Sequence, residues 1–444
     1  MTERKITVVG GGLAGSEAAW QLAQRGIKVD LYEMRPVKKT GAHHSDKLSE
    51  LVCSNSLGSY DDKSASGLLK EEMRVLSSLI VDCAWKCKVP AGGALAVDRD
   101  AFSAMVTDAI EKHPLINICR QEIPAVPEEG ICIIATGPLT SPSLAESISK
   151  ISGEEQLHFF DAAAPILTRE SINMDLAFEK SRYDKGDGMY INCPMNKEQY
   201  LAFWTALTEG ERVELKDFEK DTPYFESCLP VEVIASRGVD TLRFGPMKPV
   251  GLEDPRSNKR AYAVVQLRQD NAAAKLYNIV GFQTNLKWPD QKRIFSMIPG
   301  LESAEFVRLG VMHRNTYLNS PVILSQQLHL HKRPDIFFAG QLTGVEGYSE
   351  STATGLIAAI NASRRLEGKD LLTLSGDTMI GALIRYITSA DPKHFQPINS
   401  NWGIIDTPEE LMRLRDKAER RTQLRALALA SIEKQVGAFL VGRV

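Results

Sequence analysis

The chain has 444 residues, 53 Lys and Arg against 56 Asp and Glu, a formal charge of −3, and seven cysteines. At roughly 150 residues per domain this length implies two or three domains, and 43% hydrophobic with 25% charged residues excludes wholesale disorder. No apolar run approaches the ~18 residues of a membrane span, and the near-neutral balance argues against a globally basic nucleic-acid binder.

Lys5–Val9 reads as a short buried strand, followed at once by Gly10-Gly11-Gly12-Leu13-Ala14-Gly15. Ser16–Arg25 is patterned as a helix with Ala18, Ala19, Leu22 and Ala23 on one face. Gly26 stops it, and Lys28–Tyr32 is the second strand of a βαβ unit. Ile131–Ala135 is a further strand ending in Thr136-Gly137. The middle third changes texture: Gly188–Cys193, Leu229–Ile234, Thr241–Phe244 and Tyr262–Leu267 are short strand-like runs separated by Gly and Pro. Asp335–Ala339 restores the α/β pattern, ending in Gly340-Gln341 ahead of a small-residue helix over Ser351–Ala362. Pro408–Leu440 is helical in pattern and rich in Arg.

The fold expected is α/β: a Rossmann-like FAD-binding domain of the glutathione-reductase type with an inserted α+β domain. The boundaries expected are 1–150 for the first part of the FAD-binding domain and 151–320 for the insertion. The return and a basic C-terminal helical segment occupy 321–444.

Each part of the Gly10–Gly15 turn has a physical task. Gly10 permits the tight turn, Gly12 lets backbone approach a pyrophosphate, and Gly15 allows close helix–strand packing. Gly11, Leu13 and Ala14 complete the turn, and Glu33 can accept from ribose hydroxyls. The fingerprint alone does not separate FAD from NAD. The return at Ala339-Gly340-Gln341-Leu342-Thr343-Gly344 favours FAD, although Gln341 stands where many such domains carry Asp. With no second G-x-G-x-x-G, NADPH or NADH is expected as a transient reductant.

The seven cysteines are odd in number and form no C-x-x-C, which suits reduced thiols, a cytoplasmic setting and no metal. No apolar leader opens the sequence. Cys132 and Cys119 are read as core, and Cys83 and Cys87 as incidental. Cys53 lies among small polar residues suited to a ligand-facing loop, and Cys228 at the edge of a strand-like run. For a lone cysteine in such a loop, the structural reading outweighs the catalytic one until other evidence enters.

Longer stretches supply that evidence. Val8–Ala19, Glu50–Ser56, Leu69–Met73, Val89–Arg99, Asp161–Ile166, Cys228–Glu232, Leu242–Gly251, Asn278–Thr284, Met312–Thr316, Ala339–Tyr348 and Phe395–Asn399 together resemble the folate- and flavin-dependent tRNA (uracil-5-)-methyltransferase family. Gly58 departs from the basic residue common at that place in the family.

The resemblance implies that 5,10-methylenetetrahydrofolate donates a one-carbon unit to C5 of uridine 54 in the tRNA T-loop. Reduced FAD makes it a methyl group. A thiolate adding at uracil C6 makes C5 nucleophilic, and Cys53 and Cys228 are the thiols implied. Thr136, Gly137, Gly340, Gln341, Arg99 and Glu350 are implied as cofactor contacts, with a structural salt bridge as the alternative for Arg99. His313, Tyr348 and Glu346 are candidates for the slot that takes pterin or uracil. Arg413, Lys417, Arg420 and Arg421 fall near one helical face that could meet tRNA phosphates, against the alternative of a solvated surface. The competing readings are an rRNA-directed relative, a wobble-uridine tRNA-modifying flavoprotein, a small-molecule flavin oxidoreductase, and a non-catalytic flavin-bearing RNA-binding protein.

Overall fold

The computed structural model describes residues 4–154, 157–162, 164–184, 190–213, 229–257, 259–310 and 312–440. Strand β1 (Lys5–Val9), helix α1 (Leu13–Ala23) and strand β2 (Lys28–Tyr32) form the expected βαβ unit. Around it a five-stranded parallel sheet runs in the order Ile336–Phe338, Cys132–Ile134, β1, β2, Ile116–Cys119. Val9 and Phe338 both register against Ile134. The three turns that follow these strands therefore emerge side by side at the carboxyl end of the sheet, where α/β folds bind ligands.

The inserted sheet is antiparallel and six-stranded, in the order Phe178–Lys180, Tyr190–Met195, Ala263–Gln269, Leu276–Ile279, Ile166–Thr168, Phe306–Arg308. It has its own core, with Tyr200, Phe203, Phe282 and Phe295 at its centre. A two-stranded ribbon, Leu157–Ala162 against Met312–Tyr317, carries the chain out of the parallel sheet and back.

Two expected strands are helices. Val231–Ser236 and Thr241–Phe244 are short helical turns, not sheet. The β-branched Val231-Glu-Val-Ile run suggested a strand, but Val231 and Ala235 are both fully buried, a helical spacing of four. Glu232 turns inward and accepts from Asn285 N–H at 2.7 Å and the Thr284 hydroxyl at 2.9 Å. Packing overrode local propensity here. The C-terminal pattern also splits, into Glu409–Met412 and Lys417–Leu440. Arg413 therefore leaves the face expected for Lys417, Arg420 and Arg421, pairing with Glu409 at 3.6 Å. Leu424, Ala428, Ile432 and Val436 seat the last helix, and Arg425 reaches Glu71 at 2.6 Å. Among the described residues no helix is long and apolar enough to cross a membrane.

Cys132 is fully buried as expected, whereas Cys119, read as core, is only half-buried at a strand end. Burial pushes the Cys132 and Cys193 thiols up to about 12, so both stay protonated and pack.

Helix α1 packs closely against the helix Tyr348–Leu366. A Cβ on Gly355 would lie 2.3 Å from the Ala14 carbonyl oxygen, and one on Gly340 would lie 3.1 Å from Ala14 Cβ. Gly355→Ala is expected to push these helices apart at a cost of about 1–3 kcal/mol. Urea unfolding of the flavin-free protein checks this, and a midpoint equal to wild type would contradict it.

Candidate active site

A cradle open to a dinucleotide starts from the Gly10–Gly15 turn. Gly10 takes φ +107°, and a Cβ there would meet the Ala135 carbonyl oxygen at 2.4 Å; on Gly15 it would strike the Gly10 carbonyl oxygen at 1.8 Å. Gly12, by contrast, has nothing within 4 Å of that position. It also begins α1 with no side-chain cap, so the helix start, with its orphan N–H groups, is open to an anionic ligand. A cavity extends from here past Glu33, Arg35, His43, Thr136 and Ser141.

Glu33 is where the fingerprint requires it, at the end of β2. Its Oε2 accepts from Gly11 N–H at 2.9 Å and its Oε1 from Arg35 N–H at 2.9 Å and Nε–H at 3.0 Å. Burial opposes ionisation, but the Arg35 hydrogen bonds and charge hold the carboxyl below its usual range. Glu33 is thus a pre-set acceptor beside the cradle.

A second, larger cleft opens where the parallel sheet meets the insertion. Cys53, Ser54, Gly58, Gln283, Asn315, Gln341, Glu346, Tyr348 and Glu350 line it, drawn from both domains. Gly137 begins the short turn whose Pro138 and Leu139 form one wall, so the two cavities adjoin there.

Tyr348 is the first residue of its helix and was expected to frame a ring slot. Its ring does line the cleft, and its hydroxyl is committed to the thiol loop. It donates to Cys53 Sγ at 3.3 Å and accepts from the N–H groups of Cys53 at 2.9 Å and Ser54 at 3.3 Å. Burial pushes this hydroxyl well above its ordinary pKa, so it remains a donor throughout the working pH range.

Three guanidinium groups hold the same loop. Arg99 donates to the Leu51 carbonyl at 2.6 Å, Arg308 to the Val52 carbonyl, and Arg268 to the Ser54 hydroxyl at 2.8 Å. Arg99 also forms the salt bridge given above as its alternative role, with Asp270 of the insertion at 3.1 Å. Buried Asn55 donates to the Val97 and Gln269 carbonyls at 3.1 and 3.0 Å. A loop of small polar residues has no ladder to satisfy its backbone, and these side chains supply the missing partners.

The remaining expected residues separate. Gln341 donates to Glu346 at 2.5 Å, and Gly340, at φ +78°, donates its N–H to Thr354 at 2.8 Å. Glu350 faces the cleft and accepts from the Ser400 hydroxyl at 2.6 Å, away from the dinucleotide turn. His313 lies on the connecting ribbon opposite Asp161. Cys228 lies outside the described residues.

Sequence reasoning missed Arg268, Arg308 and Asp270, which lie more than 200 residues from the loop they serve; no local pattern marks them. It also passed over Lys70 inside a quoted stretch. Lys70 is 2% exposed and donates to the Ser59 carbonyl at 2.9 Å, the Ser66 carbonyl at 3.1 Å and the Ser66 hydroxyl at 2.6 Å. Its ammonium lies 3.6 Å from where a Gly58 Cβ would stand. A cation therefore does occupy the neighbourhood of Gly58, brought from the helix Ala65–Val75.

Comparison with known proteins agrees with this geometry. The family described as Glucose inhibited division protein A matches residues 5–370. Methylenetetrahydrofolate--tRNA-(uracil-5-)-methyltransferase TrmFO of Brevibacillus brevis is 58% identical over 98% of this chain and 98% of its own length. The protein of that name from Pelotomaculum thermopropionicum is 59% identical over 98% of this chain and 99% of its own length. The chain belongs to the TrmFO family. Among solved structures, Aquifex aeolicus GidA superposes with a TM-score of 0.67 over 98% of this chain and 75% of that one. At 16% identity that likeness gives the fold alone. In this TrmFO-family chain, residues of Val8–Ala19 line the cradle, and residues of Glu50–Ser56, Asn278–Thr284 and Ala339–Tyr348 line the cleft, in two domains.

Tyr348→Phe removes a donor to the thiol and the acceptor for two N–H groups. Turnover should fall about 10- to 100-fold, and alkylation of Cys53 should slow while FAD stays bound. Alkylation at the wild-type rate would contradict the assignment. Burial also pulls the Lys70 ammonium down to about 8 from 10.5. Between those pH values the unfolded chain holds a proton that the folded chain has lost. Wild type should therefore gain stability relative to Lys70→Met as pH rises from about 8 to about 10. Urea midpoints of both proteins across that interval check the sign.

Proposed function

We propose that this protein uses 5,10-methylenetetrahydrofolate to methylate C5 of a uracil in tRNA, uridine 54 of the T-loop, with FAD as the bound redox cofactor and NADPH or NADH as reductant. The observation that carries the reading is a cysteine thiol, hydrogen-bonded by a half-buried tyrosine, in a cleft that adjoins a dinucleotide cradle. The names of relatives alike over nearly the whole chain supply the substrates.

The residues present fit FAD: Gly12 leaves open space over an uncapped helix start, and Glu33 waits as an acceptor for a ribose. Gly10, Gly11, Gly12, Leu13, Ala14 and Gly15 would hold its pyrophosphate, with Thr136 and Gly137 alongside and Gly340 and Gln341 toward the cleft. FAD, when bound, supplies the hydride equivalent that turns a one-carbon unit into methyl.

The chain's own groups do the rest. A thiolate adds at uracil C6, which makes C5 nucleophilic toward the methylene carbon; loss of the C5 proton and reduction then expel the thiolate. Cys53 is the thiol held in the cleft, and Cys228 is assigned as its partner. Tyr348 donates to Cys53 Sγ and stabilises it as an anion. Arg99, Arg268 and Arg308 fix the loop and bring positive charge beside it. Glu346 and Glu350, both buried and lining the cleft, offer carboxylate acceptors for the N–H edge of a pterin, and His313 is assigned to the same slot. Free thiols, a tRNA substrate and a nicotinamide reductant support a cytoplasmic setting.

The decisive assay supplies FAD-loaded protein with methylenetetrahydrofolate, NADPH and either unmodified tRNA transcript, an rRNA fragment or no RNA. Nucleoside mass spectrometry should find 5-methyluridine with tRNA alone, and none with Cys53→Ala. Absence of product from wild type with FAD bound would overturn the reading, and product on rRNA alone would redirect it.

A further inference from the structure

The Leu242–Gly251 stretch is part of the family likeness, yet the chemistry above leaves it unused. Its short helix is pinned from within by Leu242 and Met247, both fully buried, and this turns Phe244 outward to 81% exposure. Arg243 beside it is rigid: its guanidinium lies 3.6 Å over the Tyr262 ring, and it donates to Asp240 at 2.6 Å and the Tyr262 carbonyl at 2.9 Å. Lys248 is exposed four residues on. At the far end of the loop Arg182 donates to the Lys248 carbonyl at 3.0 Å, and Tyr183, 53% exposed, packs its ring against Gly251.

The surface is locally basic. Between Arg237 and Arg260 stand six Lys or Arg against three Asp or Glu, each acid paired to an arginine (Asp240 to Arg243, Asp254 to Arg256, Glu253 to Arg260), in a chain whose formal charge is −3. Exposed aromatic faces interleaved with fixed cations are the chemistry of unpaired nucleotides: bases stack on the rings and phosphates meet the cations. The loop also adjoins the cleft. A Cβ on Gly281 would lie 2.7 Å from Pro246, and Gln283, two residues on, lines the cleft beside Cys53. That is at most about 7 Å of chain.

We infer that Phe244, with Arg243, Lys248 and Tyr183 around it, is the platform on which unstacked loop nucleotides of the RNA substrate lie while the target base enters the cleft. This rests on the proposed function and adds where the RNA docks. An enzyme that works on a base must take it out of its stack, and a neighbouring ring stabilises what is exposed.

Anisotropy titrations of FAD-loaded full-length protein with fluorescein-labelled unmodified tRNA transcript test it. Phe244→Ala should weaken binding about tenfold, Phe244→Trp should retain it, and Lys248→Gln should lower the slope of log Kd against log salt by about 1. The flavin spectrum and Cys53 alkylation should match wild type in all three. Binding by Phe244→Ala within twofold of wild type overturns the platform while leaving the proposed function standing. Failure of wild type to bind tRNA overturns both.

Discussion

The fold depends on how closely the helix Tyr348–Leu366 can lie on α1. With Gly355 against the Ala14 carbonyl, the two backbones touch almost without intervening atoms, and Gly340, in the turn after Ile336–Phe338, lies against the Ala14 side chain. The start of α1 forms the cradle proposed for the cofactor, and the start of the second helix delivers Tyr348 to Cys53. One missing methyl group thus sets the distance between the nucleotide site and the thiol. A wider crossing would move Tyr348 off the loop and uncouple the two.

Cys53 also depends on the insertion. Arg268 and Arg308 come from strands of the antiparallel sheet, and Asp270 holds Arg99 from the same sheet. The thiol loop is therefore clamped between domains. Charged hydrogen bonds of this kind are strong only where water is excluded, which half-burial at the domain junction provides. An RNA docked on the insertion would bear on the same strands that position the thiol, through Val264 and Met247, joined at 3.1 Å.

Buried carboxyl groups elsewhere are structural, and burial raises the pKa of both Glu17 and Glu72, the latter to about 8. Glu17 on α1 accepts from Ile80 N–H at 3.0 Å and the Ser78 hydroxyl at 2.8 Å, and Glu72 accepts from Met379 and Ile380 N–H at 2.7 and 2.9 Å. Each carboxyl group meets the orphan donors at the start of another helix, a role that the helix dipole reinforces. Whole-chain charge conceals all of this. A total of −3 is compatible with carboxyl groups locked inside and a local excess of cations on the insertion.

The sequence by itself determined the βαβ unit, its glycine turn and Glu33, because turn geometry and strand burial act over a few residues. Lys5–Val9 and Lys28–Tyr32 fall on the observed strands. It also singled out the Cys53 loop, through a family likeness rather than any local pattern. Only the tertiary structure decided that Val231–Ser236 and Thr241–Phe244 are helical, since burial at a spacing of four outweighed the β-branched run. Only the tertiary structure decided, too, that Arg425 turns inward, that Lys70 lies beside Gly58, and that Arg268 and Arg308 hold residues more than 200 positions away. Those pairings depend on how two sheets meet. No spacing along the chain encodes that meeting.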